Sequence, residues 1–179
     1  MIKKILTVAF FFIAIQTNAQ LGVIKLVGNN TSKYDLGYGA YLKMGYPVSE
    51  SSDITLQIGA YLFVLNDGGT QEDGTGVVPL TAGYRYTFNG KGSGLYVEPQ
   101  VGYNLLGVSS VNVNGKTVNL DYHGAILGVG TGYLFPIRGC PLDLNLDYQT
   151  IIDHGGSTNY VSLGLAVYLS FRKRDRDEE

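Results

Sequence analysis

At 179 residues the chain holds one domain comfortably and two only with strain. Its 13 basic and 15 acidic residues nearly cancel, which excludes the concentrated basic face that a nucleic-acid partner needs. With 25 Gly, 14 Tyr and no Trp, the composition suits a tightly curved sheet and suits a helical enzyme poorly.

Lys3 and Lys4 open the chain, and an apolar run over residues 5–15 follows. That run is too short to span a membrane and matches the apolar core of an export signal. Thr17-Asn18-Ala19 supplies a small-residue cleavage site, so the mature chain is expected to begin at Gln20. No later segment reaches the length of a membrane-spanning helix. An exported chain of this kind is either soluble outside the cytoplasm or a membrane barrel. The single cysteine, Cys140, has no partner for an internal disulfide and reads as a free thiol in a turn.

The first strand candidate, residues 21–28, carries apolar side chains on both parities. Lys25 is placed inward, because a charge facing lipid costs about 2–4 kcal/mol near mid-membrane. A polar loop over 29–33 follows. Residues 34–46 alternate cleanly: Tyr34, Leu36, Tyr38, Ala40, Leu42, Met44 and Tyr46 share one face, and Lys43 lies on the other with Asp35 and Gly37. A turn over 47–52 contains Pro47 and Ser52 as breakers. Residues 53–65 point Ile54, Leu56, Ile58, Ala60, Leu62 and Val64 out, and Thr55, Gln57, Tyr61 and Phe63 in.

Residues 66–76 form an acidic, Gly-rich loop. Their spacing does not match the alternating-ligand pattern of a calcium loop, and no metal site is expected. Residues 77–88 put Tyr84, Tyr86 and Phe88 out and Arg85 in. Pro79 sits near the start of this strand, where proline is tolerated. After a tight turn at 89–92, residues 94–106 return with Leu95, Val97 and Val101 out and Tyr96, Glu98 and Gln100 in. Residues 107–122 contain Asn114-Gly115 between two β-rich runs, a two-residue hairpin signal. Two strands are expected to continue there as a ribbon above the membrane.

Residues 123–135 face Val129, Thr131, Tyr133 and Phe135 out, with Gly124, Ile126, Gly128, Gly130 and Gly132 in. Residues 142–151 send Leu144, Leu146 and Tyr148 out, and Asp143, Asn145, Asp147 and Gln149 in. A polar loop is expected over 153–159. The last strand, 160–171, has Val161, Leu163, Leu165, Val167, Leu169 and Phe171 on one face, and small or polar residues with Tyr160 on the other.

These stretches count to eight strands, an even number, as expected of bacterial single-chain barrels. The apolar set is nearly free of charge, while the opposite set holds Lys43, Arg85, Glu98, Asp143 and Asp147. Every second strand ends in an outward aromatic: Tyr46, Phe88, Phe135 and Phe171. Together they form an aromatic girdle at one level. Short connections after Tyr46, Phe88 and Phe135 alternate with longer polar ones. The expected fold is therefore all-β: an eight-stranded antiparallel up-and-down transmembrane β-barrel. Residues 1–19 are its signal peptide, 20–171 the barrel domain and 172–179 a charged periplasmic tail.

Three stretches, VPLTAGYRYTF at 78–88, GLYVEPQVGYN at 94–104 and the closing SLGLAVYLSF, resemble the small eight-stranded outer-membrane β-barrel family of the OmpA/OmpX type. The resemblance covers residues 20–171. It implies the outer membrane of a Gram-negative bacterium, with outer-membrane lipids, the barrel-assembly machinery and other outer-membrane proteins as partners, and no cofactor. The family commonly ends at its terminal aromatic; here residues 172–179 follow Phe171.

Arg85 and Glu98 flank one turn almost symmetrically and are expected to face each other inside, with Asp143 and Asp147 nearby and Lys43 or Lys25 as counter-charge. Eight strands leave an interior that side chains fill, which favours a polar plug over a small channel. Some small barrels modify lipid A with a His, a Ser and an acid at the rim. Asp121, His123, Asp153, His154 and Ser157 are the only candidates, and no compact His-x-Ser pair exists among them. The expectation is thus no catalytic residue, and a non-enzymatic structural, surface-interaction or accessory-subunit role. The Asn114-Gly115 hairpin would be presented outward.

Overall fold

A computed structural model describes residues 20–27, 36–64, 74–89, 93–113, 116–121, 123–137, 142–153, 156–167 and 169–170. The described chain is entirely strand and turn: β1 Gln20–Val27, β2 Gly37–Pro47, β3 Ser52–Val64, β4 Gly74–Thr87, β5 Gly94–Val113, β6 Lys116–Asp121, β7 Gly124–Phe135, β8 Leu142–Asp153, β9 Gly156–Val167 and β10 Leu169–Ser170. β6 and β7 form one barrel strand in two pieces, as do β9 and β10. The sheet closes through β1, which pairs antiparallel with both β9 and β2. The result is a closed eight-stranded antiparallel barrel.

Alternation dictates this closure. Leu56, Ile58, Leu95, Val101, Leu127, Leu146, Leu163 and Leu165 are all exposed on the outer face. Lys43, Arg85, Glu98, Asp143 and Asp147 are all buried inside. A soluble barrel would do the reverse, since apolar surface leaves water wherever it can.

The two ends of the barrel differ. At the turn end, β2–β3 and β4–β5 are joined by tight connections; Val48 N–H donates to the Ser52 carbonyl at 2.9 Å, and Phe88 N–H to the Leu95 carbonyl at 3.0 Å. At the loop end, β5 runs on past the rim. It pairs with β6 from Val108↔Asp121 to Val113↔Lys116, which leaves the two-residue Asn114-Gly115 position at the tip. The expected ribbon is present; Asn114 and Gly115 themselves lie outside the described residues.

Three expectations are corrected. Of the stretch read as a loop over 153–159, Asp153 belongs to β8 and residues 156–159 belong to β9. β8 extends to Asp153 and β9 starts at Gly156, in register. Polar residues there sustain the ladder beyond the lipid-facing zone, and the Thr150 hydroxyl donates to Asn159 Oδ1 at 2.8 Å. Alternation of apolar residues fades in such a stretch while backbone pairing continues. Likewise β4 begins at Gly74, inside the stretch read as the 66–76 loop. The third correction concerns Lys25, which lies on the outer face and is exposed. The parity of β1 is set by Ile24 and Leu26, both buried in the lumen. Lys25 sits two residues from the loop end of β1, near enough for a long side chain to carry its charge toward the interface.

Pro79 lies where the β4–β5 register shifts, between Val78 and Pro79. A bulge tolerates the missing N–H that a regular ladder position would need.

The seam is irregular. β1 starts at Gln20, opposite Tyr41, partway along β2. Below it, Leu169 and Ser170 of β10 pair directly and in parallel with Met44 and Gly45 of β2. Around the loop end the circuit includes β1. Toward the turn end β10 meets β2 with no β1 between them.

Candidate functional site

The inward side chains form two layers. Toward the turn end lies a charged network centred on Glu98. Its Oε1 meets Lys43 Nζ at 2.8 Å and accepts from the Thr55 hydroxyl at 3.0 Å and from Gln100 Nε2 at 3.1 Å. Its Oε2 accepts from Arg85 Nε at 2.8 Å. Arg85 reaches on to Asp143, where Nη2 donates to Oδ2 at 2.9 Å. The Tyr96 hydroxyl donates to the other Asp143 oxygen at 2.8 Å. The Arg85 guanidinium also stacks over the Tyr96 ring, 4.0 Å from its centroid. Asp53, opposite Arg85 in the ladder, is buried as well.

Local register explains why these groups meet. Arg85 and Glu98 lie on neighbouring strands, one step inside the Tyr86↔Val97 pair. Asp143 is brought across the lumen by closure. Room for Tyr96 comes from Gly132, where a Cβ would lie 2.6 Å from the Tyr96 hydroxyl.

A neutral chain leads upward from the charges. Gln100 Nε2 donates to Asp147 Oδ1 at 3.1 Å, and Gln149 Nε2 donates to Gln100 Oε1 at 2.5 Å. The Tyr160 hydroxyl donates to Gln149 Oε1. Asn145 Nδ2 donates to the Tyr41 hydroxyl at 2.6 Å.

Above this chain the lumen turns apolar. Ile24, Leu26, Tyr61, Phe63, Val77, Ile126, Ile151 and Tyr160 form one buried cluster together with Tyr41. None of these side chains exceeds 7% exposure, so the cluster packs the loop-end half of the lumen.

All five predicted interior residues are thus inside. Lys43, Arg85, Glu98 and Asp143 are joined by ion pairs; Asp147 joins the same network through Gln100. Lys43 supplies the counter-charge, and Lys25 does not. Tyr96, Thr55 and Gln100 were visible as inward by parity, but their hydrogen bonds were not. The apolar layer was the larger omission, although Phe63, Ile126 and Tyr160 share the parity of the polar set.

On the outer face, Tyr46, Phe88 and Phe135 are exposed at the turn end. Tyr86 packs edge-on against Phe88, with ring centroids 5.5 Å apart, and Tyr133 lies 4.7 Å from Phe135. Phe171, the fourth predicted member, lies outside the described residues.

Among the described rim groups, His123 and Ser157 stand apart. His123 and Ser157 are both exposed. Ser157 pairs with Ile152, and Ile152 pairs with Ala125. Two strand spacings, about 10 Å, therefore separate Ser157 from β7, beyond the reach of a nucleophile and its base. The side chain of Asp121 and all of His154 lie outside the described residues. No group of three or more His, Cys, Asp or Glu residues that could hold a metal ion occurs among the described residues.

No protein-family model matches the chain, and neither does any curated protein. Solved structures do. The attachment invasion locus protein Ail of Yersinia pestis superposes with a TM-score of 0.60 at 13% identity, covering 84% of this chain and 95% of that one. Neisserial surface protein A superposes with a TM-score of 0.54 at 17% identity, covering 84% and 94%. Ail determined in a phospholipid bilayer nanodisc superposes with a TM-score of 0.50 at 12% identity, covering 84% and 98%. At these identities the likeness is one of fold.

Proposed function

We propose, for a chain with the fold of the small eight-stranded outer-membrane β-barrels, that it is a closed, non-enzymatic barrel whose work is done on its outside. The exported chain inserts with its turn end toward the periplasm and its aromatic girdle at that interface. Its interior carries no solute. Its loop end holds the β5–β6 ribbon away from the lipid as a surface for contact with other envelope or extracellular molecules. The role is structural, adhesive or that of an accessory subunit.

One observation carries this reading: the lumen is filled at two levels by side chains of opposite character. Glu98 with its four donors fills the turn-end half, and the Phe63–Ile126–Ile151 cluster fills the loop-end half. A gate built only of charges opens when one pair swaps. A packed apolar layer above it has no such alternative pairing, and an eight-stranded barrel has no spare width.

Single-channel recording of the full-length protein in planar bilayers tests the closed lumen. No steady openings are expected for the wild type. Steady openings that Arg85→Ala or Glu98→Gln alters would overturn the plug and make the protein a small channel. Crosslinking in intact envelopes, with a photoreactive group at Val111 or Thr117, is expected to capture a neighbour through the ribbon.

A further inference from the structure

The inner wall is bare where the first strand meets its neighbours. Gly39 of β2, Gly22 of β1 and Gly164 of β9 pair in one row. They share the parity of Tyr41, Ile24 and Ala166, which are buried inside. The next inward position of β2 is Gly37, paired with Ile24. Cross-strand side-chain pairs stabilise a sheet, and on the lumen side β1 makes none with β2 at these two positions. The β1–β9 ladder is nevertheless the joint that brings the first strand to the ninth.

Tyr41 crosses this gap from inside. It stands on β2, and its ring passes over Gly22, where an added Cβ would lie 3.4 Å from Cε1. It continues over Gly164, where an added Cβ would collide with the Tyr41 hydroxyl. That hydroxyl accepts from Asn145 Nδ2 of β8 at 2.6 Å. Both side chains are buried, at 4% and 1% exposure. One hydrogen bond thus joins residues 104 apart in the chain. It spans three strand spacings, about 14 Å along the wall, with β1 and β9 between its ends. Tyr61 is different. An added Cβ on Gly39 would collide with its ring, but its hydroxyl accepts at 3.4 Å from Gln57 Nε2 of its own strand.

We propose that Tyr41 and Asn145 form a latch that holds the first strand in the wall, and that the β1–β9 seam is the joint where the barrel closes last and opens first. The other barrel strands pair with chain neighbours, hairpin by hairpin. The β1–β9 ladder must wait for the rest of the chain, because the entropy cost of closing so long a loop precedes its contacts. The glycine row leaves that seam with little side-chain packing of its own, and the latch supplies the missing inner contact. The latch goes beyond the closed-lumen reading and does not depend on what the loop end touches.

Hydrogen exchange of the full-length protein folded in detergent micelles, read strand by strand, tests the latch. Tyr41→Phe keeps the ring and removes the hydrogen bond. It is expected to speed exchange about fivefold in β1 and the β9 residues facing it, with β4 and β5 at wild-type rates. Asn145→Ala is expected to do the same. Tyr61→Phe removes a hydroxyl from the same lumen and should leave β1 unchanged. A uniform rise over all strands, no rise in β1, or an equal rise from Tyr61→Phe would overturn the latch. Val23 and Leu163 face each other across the seam on the outer face. Cysteines at both, oxidised in a Cys140→Ser background, are expected to return β1 of Tyr41→Phe to the wild-type rate. Should Tyr41→Phe alone fail to fold, the same crosslink is expected to restore the heat-dependent gel shift. A crosslinked seam that restores neither would overturn the proposal.

Discussion

Toward the turn end, Lys43, Arg85, Glu98 and Asp143 interlock across the lumen through ion pairs of 2.8 to 2.9 Å. Toward the loop end, Phe63, Ile126, Ile151 and Ile24 pack with no ion pair among them. The same wall encloses both halves, and the same period of two selects their residues. The charged half lies toward the end where β10 meets β2 directly. The apolar half lies where β1 is inserted and contributes Ile24 and Leu26. Long, directional side chains bridge one half, and bulky contact-driven ones fill the other. A barrel can thus be closed by two kinds of force that fail under different substitutions. Breaking a buried charge pair leaves an unpaired charge, while trimming an apolar side chain leaves a void.

The largest expected effect is in the charged half. Glu98→Gln leaves Lys43 and Arg85 without their shared carboxylate and should destabilise by about 3–5 kcal/mol. The midpoint of the heat-dependent gel shift in detergent measures it; a wild-type midpoint would mean that the network is dispensable. In the apolar half, Ile126→Ala should cost about 2–3 kcal/mol, toward the low end for such truncations, because flexible neighbours lean into the gap. Its cost should not change with ionic strength.

Gly132→Ala tests the packing between the halves. The added Cβ would press on the Leu144 carbonyl as well as on the Tyr96 ring and hydroxyl, and cost about 1–3 kcal/mol, of which the hydroxyl accounts for a part. Combined with Tyr96→Phe, which removes that hydroxyl, the cost should fall below the sum of the two single changes. Additivity would show that Tyr96 is not what the glycine accommodates. The smallest effect belongs to Lys25. An outward lysine near the rim should tolerate Lys25→Ala within about 0.5 kcal/mol. A loss as large as that of Glu98→Gln would return Lys25 to the lumen.

Much of this was legible beforehand, wherever short-range rules apply. Arg85 and Glu98 could be set opposite each other because a tight turn at 89–92 fixes the register of its two strands. The Asn114-Gly115 tip and its ribbon followed from hairpin chemistry alone. Lys25 was misplaced because β1 is apolar on both parities, so alternation carries no information there. The stretch at 153–159 was misread because the loss of apolar residues marks the end of the lipid zone, which is not the end of the strand. In both cases the periodic signal was absent and a cost argument or a composition rule stood in for it.

By itself the sequence determined the strands, their inner and outer faces for seven of the eight, the turn and loop ends, and one cross-strand pair. These are local properties, written in a period of two and in the residues that break it. Only the tertiary structure decided the face of β1, the meeting of Lys43 and Asp143 with Glu98 and Arg85, the apolar layer as a single cluster, and the pinch where β10 meets β2. Each depends on how a sheet curls until its first strand meets its last. That closure sums twist and register over every strand, and no single stretch of the chain encodes it.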